Sequence, residues 1–399
     1  MAATANRAEV LRVKESTWGV TPPSPAWIST RFTGESLNNS LTTEQSQEIR
    51  PDRTLADLSV VDASAGGSID IEFSYGSFDD LIEAALMSTW TTVNITSAAG
   101  DISVVAAADD NLVSSTPNKF ANVIVGQSIA ISGFSDPGNN GLFKVVAKDD
   151  DQTLTIFPQP SSAETASGSD VSLVGDVITN GILEQSFSIM RVFNDANPVA
   201  RQLYRGMRVG SWTLDFSTGA MVTGAFNLLG RSAEWISAAP AGSTYVPAST
   251  TDVMNAVSNI SDISLDGTPL CASGLVSNFT FELNNQHREQ KGLCRLGAVG
   301  IVAGQLLVTI SGSQYFVNDT EAKKFETSQA FSFSWSMMDN AGNQYVFHLP
   351  RNKYESFDVN ATGLDSDVMA EMSAQALLDP VTGKVIIITR IPAPPVTSS

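Results

Sequence analysis

The sequence predicts a mainly β protein: a β-sandwich or barrel with one flanking α-helix and a small inserted β domain. Three observations carry this. Many short segments alternate polar and apolar residues between Gly, Asn and Asp; Ser and Thr are plentiful while Lys is scarce; and a single segment shows strong helical periodicity. With 399 residues, 42% of them apolar, the chain has material for two or three packed domains.

The first strand is expected around Val10, Leu11 and Val13, followed by a proline-rich break from Thr21 to Pro25 that neither a helix nor a central strand can cross. An arm or loop follows. Residues 67–76, GSIDIEFSYG, place Ile69, Ile71, Phe73 and Tyr75 on one face and Ser68, Asp70, Glu72 and Ser74 on the other, a strand packed on one side and wet on the other. Next, Ser77 is expected to cap a helix with Asp79 and Asp80 in its first turn. Phe78, Leu81, Ile82, Ala85 and Leu86 form its apolar stripe, leaving Asp79, Asp80 and Glu83 to solvent.

Composition shifts near residue 92 and back near 181, which divides the chain into 1–91, an inserted module 92–180, and 181–399. The module has strand candidates around Val104, Ile129, Val145, Leu154 and Val171. Turn sequences at 136–141 and 148–152 predict a meander of hairpins. With ten acids and three lysines it is acidic, as is the remainder.

An internal repeat emerges once the insert is set aside. GSIDIEFSYG at 67–76 aligns with GSWTLDFSTG at 210–219. A weaker copy, NFTFELN, occupies 278–284, and FSFSWSM at 331–337 keeps the alternation without charge. The pattern sets small hydroxyl, amide and acidic side chains on one face of a sheet above large apolar groups. A second short helix is expected from Asn197-Pro198 to Arg205, stopped by Gly206, and a closing hairpin from residues 375–378 through 379–384 into 385–389.

The net charge of −19 opposes ordinary binding to nucleic acid or anionic membranes. No apolar run approaches a membrane span, and the charged, alternating N-terminus does not read as a signal peptide, so a soluble, unsecreted protein is expected. Cys271 and Cys294 make neither a disulfide framework nor a zinc set and are expected to be buried or idle. His287 and His348 lie in no nucleophile or metal motif. Asp149, Asp150 and Asp151 read as a solvated turn rather than a calcium loop, and Gly297, Gly300 and Gly304 as turn or packing glycines. Asp70 and Glu72 share an open strand face without the aromatic walls of a glycosidase. The residues point to a non-enzymatic β protein without cofactor or metal.

From Glu44 to Asp57, EQSQEIRPDRTLAD, the chain resembles the tail tube proteins of long-tailed bacteriophages. The likeness continues in order through YGSFDDLIEAALMSTW (75–90), SFSIMRVF (186–193), residues 205–231, VSNFTFELNN (276–285) and YVFHLPRNKY (345–354). The insert departs from the minimal family pattern, and similar extra β modules often sit on the outer surface. The resemblance implies a structural virion protein: homohexameric rings stacked into a tube, through loops and an N-terminal arm, that conducts double-stranded DNA without binding it. It implies tape-measure, terminator and tip proteins as partners, no membrane, synthesis in the host cytoplasm, and a long flexible tail. On that basis Asp70, Glu72, Asp215 and Glu282 are candidate bore-lining acids, with Ser68, Ser74, Ser211, Ser217, Thr280 and Ser334 keeping the wall wet. Arg50, Asp52 and Arg53 are candidate inter-subunit residues. Six subunits lending four strands each would enclose a bore of about 50 Å, or about 40 Å within the side chains. A capsid decoration or host-surface binding protein, with the insert as its recognition domain, is the competing expectation. A carbohydrate-active enzyme stands third.

Overall fold

The computed structural model describes residues 4–168, 171–361 and 363–393. Strands β1 (Ala8–Lys14), β2 (Asn38–Gln45) and β3 (Leu58–Glu72) precede helix α1 (Asp79–Leu86). After the insert come β4 (Asp176–Thr179), β5 (Phe187–Phe193), β6 (Ala200–Ser217), β7 (Thr223–Gly230) and β8 (Ser232–Ile236). Then follow β9 (Ile260–Leu265), β10 (Val276–Asn284), β11 (Leu307–Tyr315) and helix α2 (Thr320–Glu326). Strands β12 (Phe331–Met338), β13 (Gln344–Asn360), β14 (Met369–Ala376) and β15 (Ile387–Ile391) complete the body.

Two long strands organise the architecture, because each serves two sheets. The first half of β6 pairs with β5 and β8, and its second half with β7 and β10. Between the halves Gly206 has φ +69°, and a Cβ there would lie 2.9 Å from both Arg231 Cβ and the Trp18 indole nitrogen, so glycine is required at the bend. Similarly, the start of β13 pairs with β12 and β15, and its end with β14. One layer therefore runs β2-β3-β7-β6-β10-β11-β14-β13, all antiparallel. The second runs β9-β12-β13-β15-β4. A side lobe of β1, β5, β8 and the start of β6 carries a small core around Leu11, Trp27 and Leu203.

Trp212, Phe226 and Phe281 from the first layer pack against Trp335 and Phe347 from the second. Helix α1 buries Leu81, Ile82, Ala85 and Leu86 in the same core. The insert contributes eight strands between residues 94 and 174, forming a separate sheet around Ile102, Phe120, Ile129, Val145 and Leu154. Both predicted insert turns join antiparallel neighbours. Asp176–Thr179, inside the 92–180 segment, pairs instead with β15 of the body.

The insert docks on the outer face of the second layer. Ile386, just before β15, and Ile388 on it point into the body core while Thr389 accepts from the Ser128 amide at 3.2 Å. Ile387 and His348 lie against Gly126 of the insert. The chain's entry to and exit from the insert are held by one cation. Arg390 bonds Asp79 of α1 and Asp176 at 2.7 Å, and its guanidinium lies 4.7 Å from the centre of the Trp90 ring.

Several expectations are corrected. The acids of α1 are not solvated: Asp79 is bonded by Arg390 and Tyr345, Asp80 by the buried Arg12 at 2.8 Å, and Glu83 by Lys14 at 3.1 Å. Ser77 does not cap the helix; Phe78 occupies that position and the Ser77 hydroxyl bonds Ser74. Residues 200–205 are strand, because Leu203 and Tyr204 are buried in two different cores on opposite faces. With both faces buried, no period-2 alternation reveals the strand. The closing turn at 379–384 forms, but β14 and β15 do not pair with each other; each joins a different part of β13. Both cysteines are free and exposed rather than buried.

Two stability predictions follow from the docking of the insert. Arg390→Met leaves Asp79 and Asp176 without their shared cation and should destabilise the fold by about 3 kcal/mol; an unchanged denaturant midpoint would contradict this role. Burial, reinforced by Lys144, lowers the His348 pKa from 6.5 to about 3. Between those values the unfolded chain binds the extra proton, so this residue's contribution is intact above pH 6.5 and declines as the pH falls toward 3, by on the order of 4 kcal/mol. His348→Gln should flatten the fall of stability with acid, measured by denaturant titrations across that range; parallel curves for both proteins would refute it.

Candidate functional site

The first layer turns one face into the aromatic core and the other outward. On β3, Ile69 and Ile71 are buried while Ser68, Asp70 and Glu72 are half-buried on the open side. The same division recurs on β6, where Trp212, Leu214 and Phe216 are buried and Ser211, Thr213, Asp215 and Ser217 face outward. On β10, Phe279, Phe281 and Leu283 are buried beneath Asn278, Thr280, Glu282 and Asn284. Side chains alternate faces along each strand, so the antiparallel register assembles these residues into rows across the sheet.

One row runs Glu72, Thr223, Asp215, Thr280, Ser311, Ser373 and Ser356. Its neighbour runs Asp70, Ala225, Thr213, Glu282, Thr309, Gln375 and Lys353. Ser68, Asn227, Ser211 and Asn284 form a third row, and Ser217, Asn278, Ser313, Glu371 and Asp358 a fourth. The four candidate acids thus share one continuous surface with Ser68, Ser211, Ser217 and Thr280.

Hydrogen bonds between strands hold this surface in place. Thr280 donates to Asp215 at 2.7 Å, Asn227 to Ser211 at 2.9 Å, and Asn278 to Ser313 at 2.7 Å. Asp70 is covered on one side by the backbone at Gly34, where an added Cβ would stand 3.0 Å from its carboxylate. The only lysine in these rows, Lys353, lies at the edge and bends to the Ser328 hydroxyl at 3.1 Å. The surface is therefore acidic and hydroxylated, with no cation along its middle.

Two candidates do not join it. Ser74 is buried beyond the end of β3, bonded to Ser77 at 2.7 Å and Arg31 at 3.2 Å. Ser334 belongs to the second layer, opposite Ser264 and His348, on the side where the insert docks. Its neighbours Phe333 and Trp335 face the shared core, so the same alternation points Ser334 the other way. Ser311, Ser313, Glu371, Ser373 and Asp358 join the face without having been singled out. The alternation of Val308 and Ile310 with Thr309, Ser311 and Ser313 carried the signal for β11, while the inward face of β14 is Ala370, Met372, Ala374 and Ala376, mostly small residues that mark a strand weakly.

Arg50, Asp52 and Arg53 occupy the loop between β2 and β3. Arg50 grips Asp52 of its own loop through two bonds of 3.1 and 2.9 Å, which lowers the Asp52 pKa to about 2. The pair is thus closed within the loop of one chain. β3 extends past its pairing with β7 at Ala65 to Leu58, about 23 Å of further strand, so the hairpin projects from the sheet. Leu41, Ile49, Leu55, Leu58, Val60 and Val61 are exposed along it.

No group of acids, histidines and cysteines among the described residues could hold a metal ion, and no described helix is long and apolar enough to cross a membrane. No curated protein matches the chain. A family model described as phage tail tube protein matches residues 5–376. The chain, a two-layered β body with one acidic, hydroxylated face, belongs to the phage tail tube protein family.

Proposed function

We infer that the protein, as a member of this family, is a structural component of the virion tail. We propose that six copies close into a ring, that rings stack into a tube, and that the open face of the first layer lines the bore through which double-stranded DNA passes into the host. The observation that carries this reading is the opposition of two surfaces. The acidic face lies on one side of the body and the insert on the other. A ring that turns the first toward its axis carries the second on its exterior.

Geometry limits how much of the face each copy contributes. Four strands from each of six copies, at 4.8 Å spacing and 45° tilt, give a bore of about 50 Å, whereas seven would open it to about 90 Å. We assign the bore to β3, β7, β6 and β10, the contiguous strands that hold Asp70, Glu72, Asp215 and Glu282. DNA presents a phosphate about every 1.7 Å of axis, and cations on the wall would pair with them and retain the genome. Carboxylates repel it instead, and the hydroxyl rows keep the surface hydrated.

The projecting β2–β3 hairpin supplies the assembly energy. Its exposed aliphatic residues have no place against solvent and are suited to burial on neighbouring copies. The remaining partners are the other proteins of the tail, and the role is mechanical rather than catalytic.

Electron microscopy of the purified protein tests assembly directly: rings or tubes are expected, and isolated particles that bind capsids or cells would instead favour a decoration or adhesin. Replacing Asp70, Glu72, Asp215 and Glu282 together by lysine should leave tubes intact but slow DNA ejection at least tenfold at low salt, with recovery as salt rises. Ejection at the normal rate from such particles would remove the repulsive-wall mechanism.

A further inference from the structure

The body is charged differently at its two ends. At the end of the first layer marked by the Gly206 bend of β6, a cleft of about 790 Å³ is lined by Arg205, Arg231 and Arg295 and by no acid. Arg205 is paired with Glu234 at 2.6 Å, but Arg231 and Arg295 have no carboxylate partner among the described residues. Arg231 is held over the Trp18 ring, 5.3 Å from its centre, which fixes its position without neutralising it. Val20, Pro23 and Leu296 give the same cleft an apolar floor and rim. In a chain of net charge −19 this concentration of unpaired arginine is anomalous.

The opposite end of the same strands is acidic. The row through Ser217 at the end of β6 passes through Asn278 and Ser313 to Glu371 and Asp358. The β13–β14 hairpin continues beyond it with Asp365 and Asp367. Glu355, Asp358, Asp365, Asp367 and Glu371 are all exposed, and none forms an ion pair among the described residues. Leu364, at the tip, is 96% exposed. From Arg205 to Ser217 the strand spans up to about 40 Å, so the basic cleft and the acidic hairpin cannot meet within one copy.

We propose that the arginine cleft receives the β13–β14 hairpin of a second copy in the next ring, with Arg231 and Arg295 meeting its carboxylates and Leu364 seated on the apolar floor. The inference rests on the tube reading and deepens it: the contact is heterologous, head to tail, so it propagates along an axis instead of closing into a dimer, and it gives the tube a single polarity. Complementary charge also rejects the two wrong pairings, cleft to cleft and hairpin to hairpin.

The test separates ring closure from stacking. In Arg231→Gln/Arg295→Glu, and separately in Asp358→Arg/Asp367→Arg, rings should form as in the parent while the protein concentration needed for tubes rises at least tenfold. Arg295→Glu alone, at an exposed residue, should give a smaller shift in the same direction without risk to the fold. The four substitutions combined in one chain should restore tubes in part, since the carboxylate introduced at position 295 then faces guanidinium groups at positions 358 and 367 of the next copy. Tubes growing normally from either pair of substitutions, or no recovery in the combined chain, would overturn the inference while leaving the ring reading intact. Absence of rings and tubes from the parent protein would overturn the tube reading and this inference with it. Retention of duplex DNA by the parent, lost in the arginine variant, would make the cleft a phosphate site and exclude the hairpin as its occupant.

Discussion

The aromatic stack between the layers is the constraint on which the rest depends. The Trp335 and Phe347 rings lie nearly parallel with centres 4.5 Å apart, and Phe281 of the first layer packs onto both. Trp212 meets Phe281 edge-on at 5.3 Å and stacks on Phe226 at 5.7 Å. These groups bury large apolar areas and prefer particular orientations, so they fix the separation and register of the two layers together. Because side chains alternate along a strand, burying Trp212, Phe226 and Phe281 commits their neighbours to the outside. The polar rows are thus a geometric consequence of the core.

The second layer transmits the same commitment outward. Once Ile386 and Ile388 enter the core, Ile387 and Thr389 must face away, and there they meet the insert at Gly126 and Ser128. Arg390 then locks the connections by joining Asp79, Asp176 and Trp90. The result is a body with distinct sides: an acidic sheet on one, an accessory module on the other, and strand ends of opposite charge above and below. In the ring and tube proposed above, such two-directional polarity would serve both closure and stacking.

The charges divide in the same way. Near the core they are paired and structural, as with Arg12 and Asp80, or Arg191 and Glu35. On the first layer's open face and at the β13–β14 hairpin the carboxylates of the polar rows form no ion pair among the described residues, and the single lysine of those rows, Lys353, lies at the edge. Unpaired charge at a surface costs little while solvent screens it, and is available to act on a phosphate backbone or a neighbouring copy.

What the sequence alone determined was the composition of each strand's two faces. GSIDIEF, GSWTLDFS and NFTFELN declare which residues are buried and which are wet, because period-2 alternation is a local property; the pattern fails at Ser74, which lies past the end of the strand and is buried. The tight turns of the insert and the helix at residues 79–86 were equally local. Only the tertiary structure decided which strands share a sheet, since pairing depends on contacts distant along the chain. It placed FSFSWSM, with Ser334, in the opposite layer despite the same alternation, and made strand of residues 200–205, whose two buried faces erase any pattern. It also found partners for Asp79, Asp80 and Glu83 on strands far away in sequence, where helical periodicity by itself leaves acids to water.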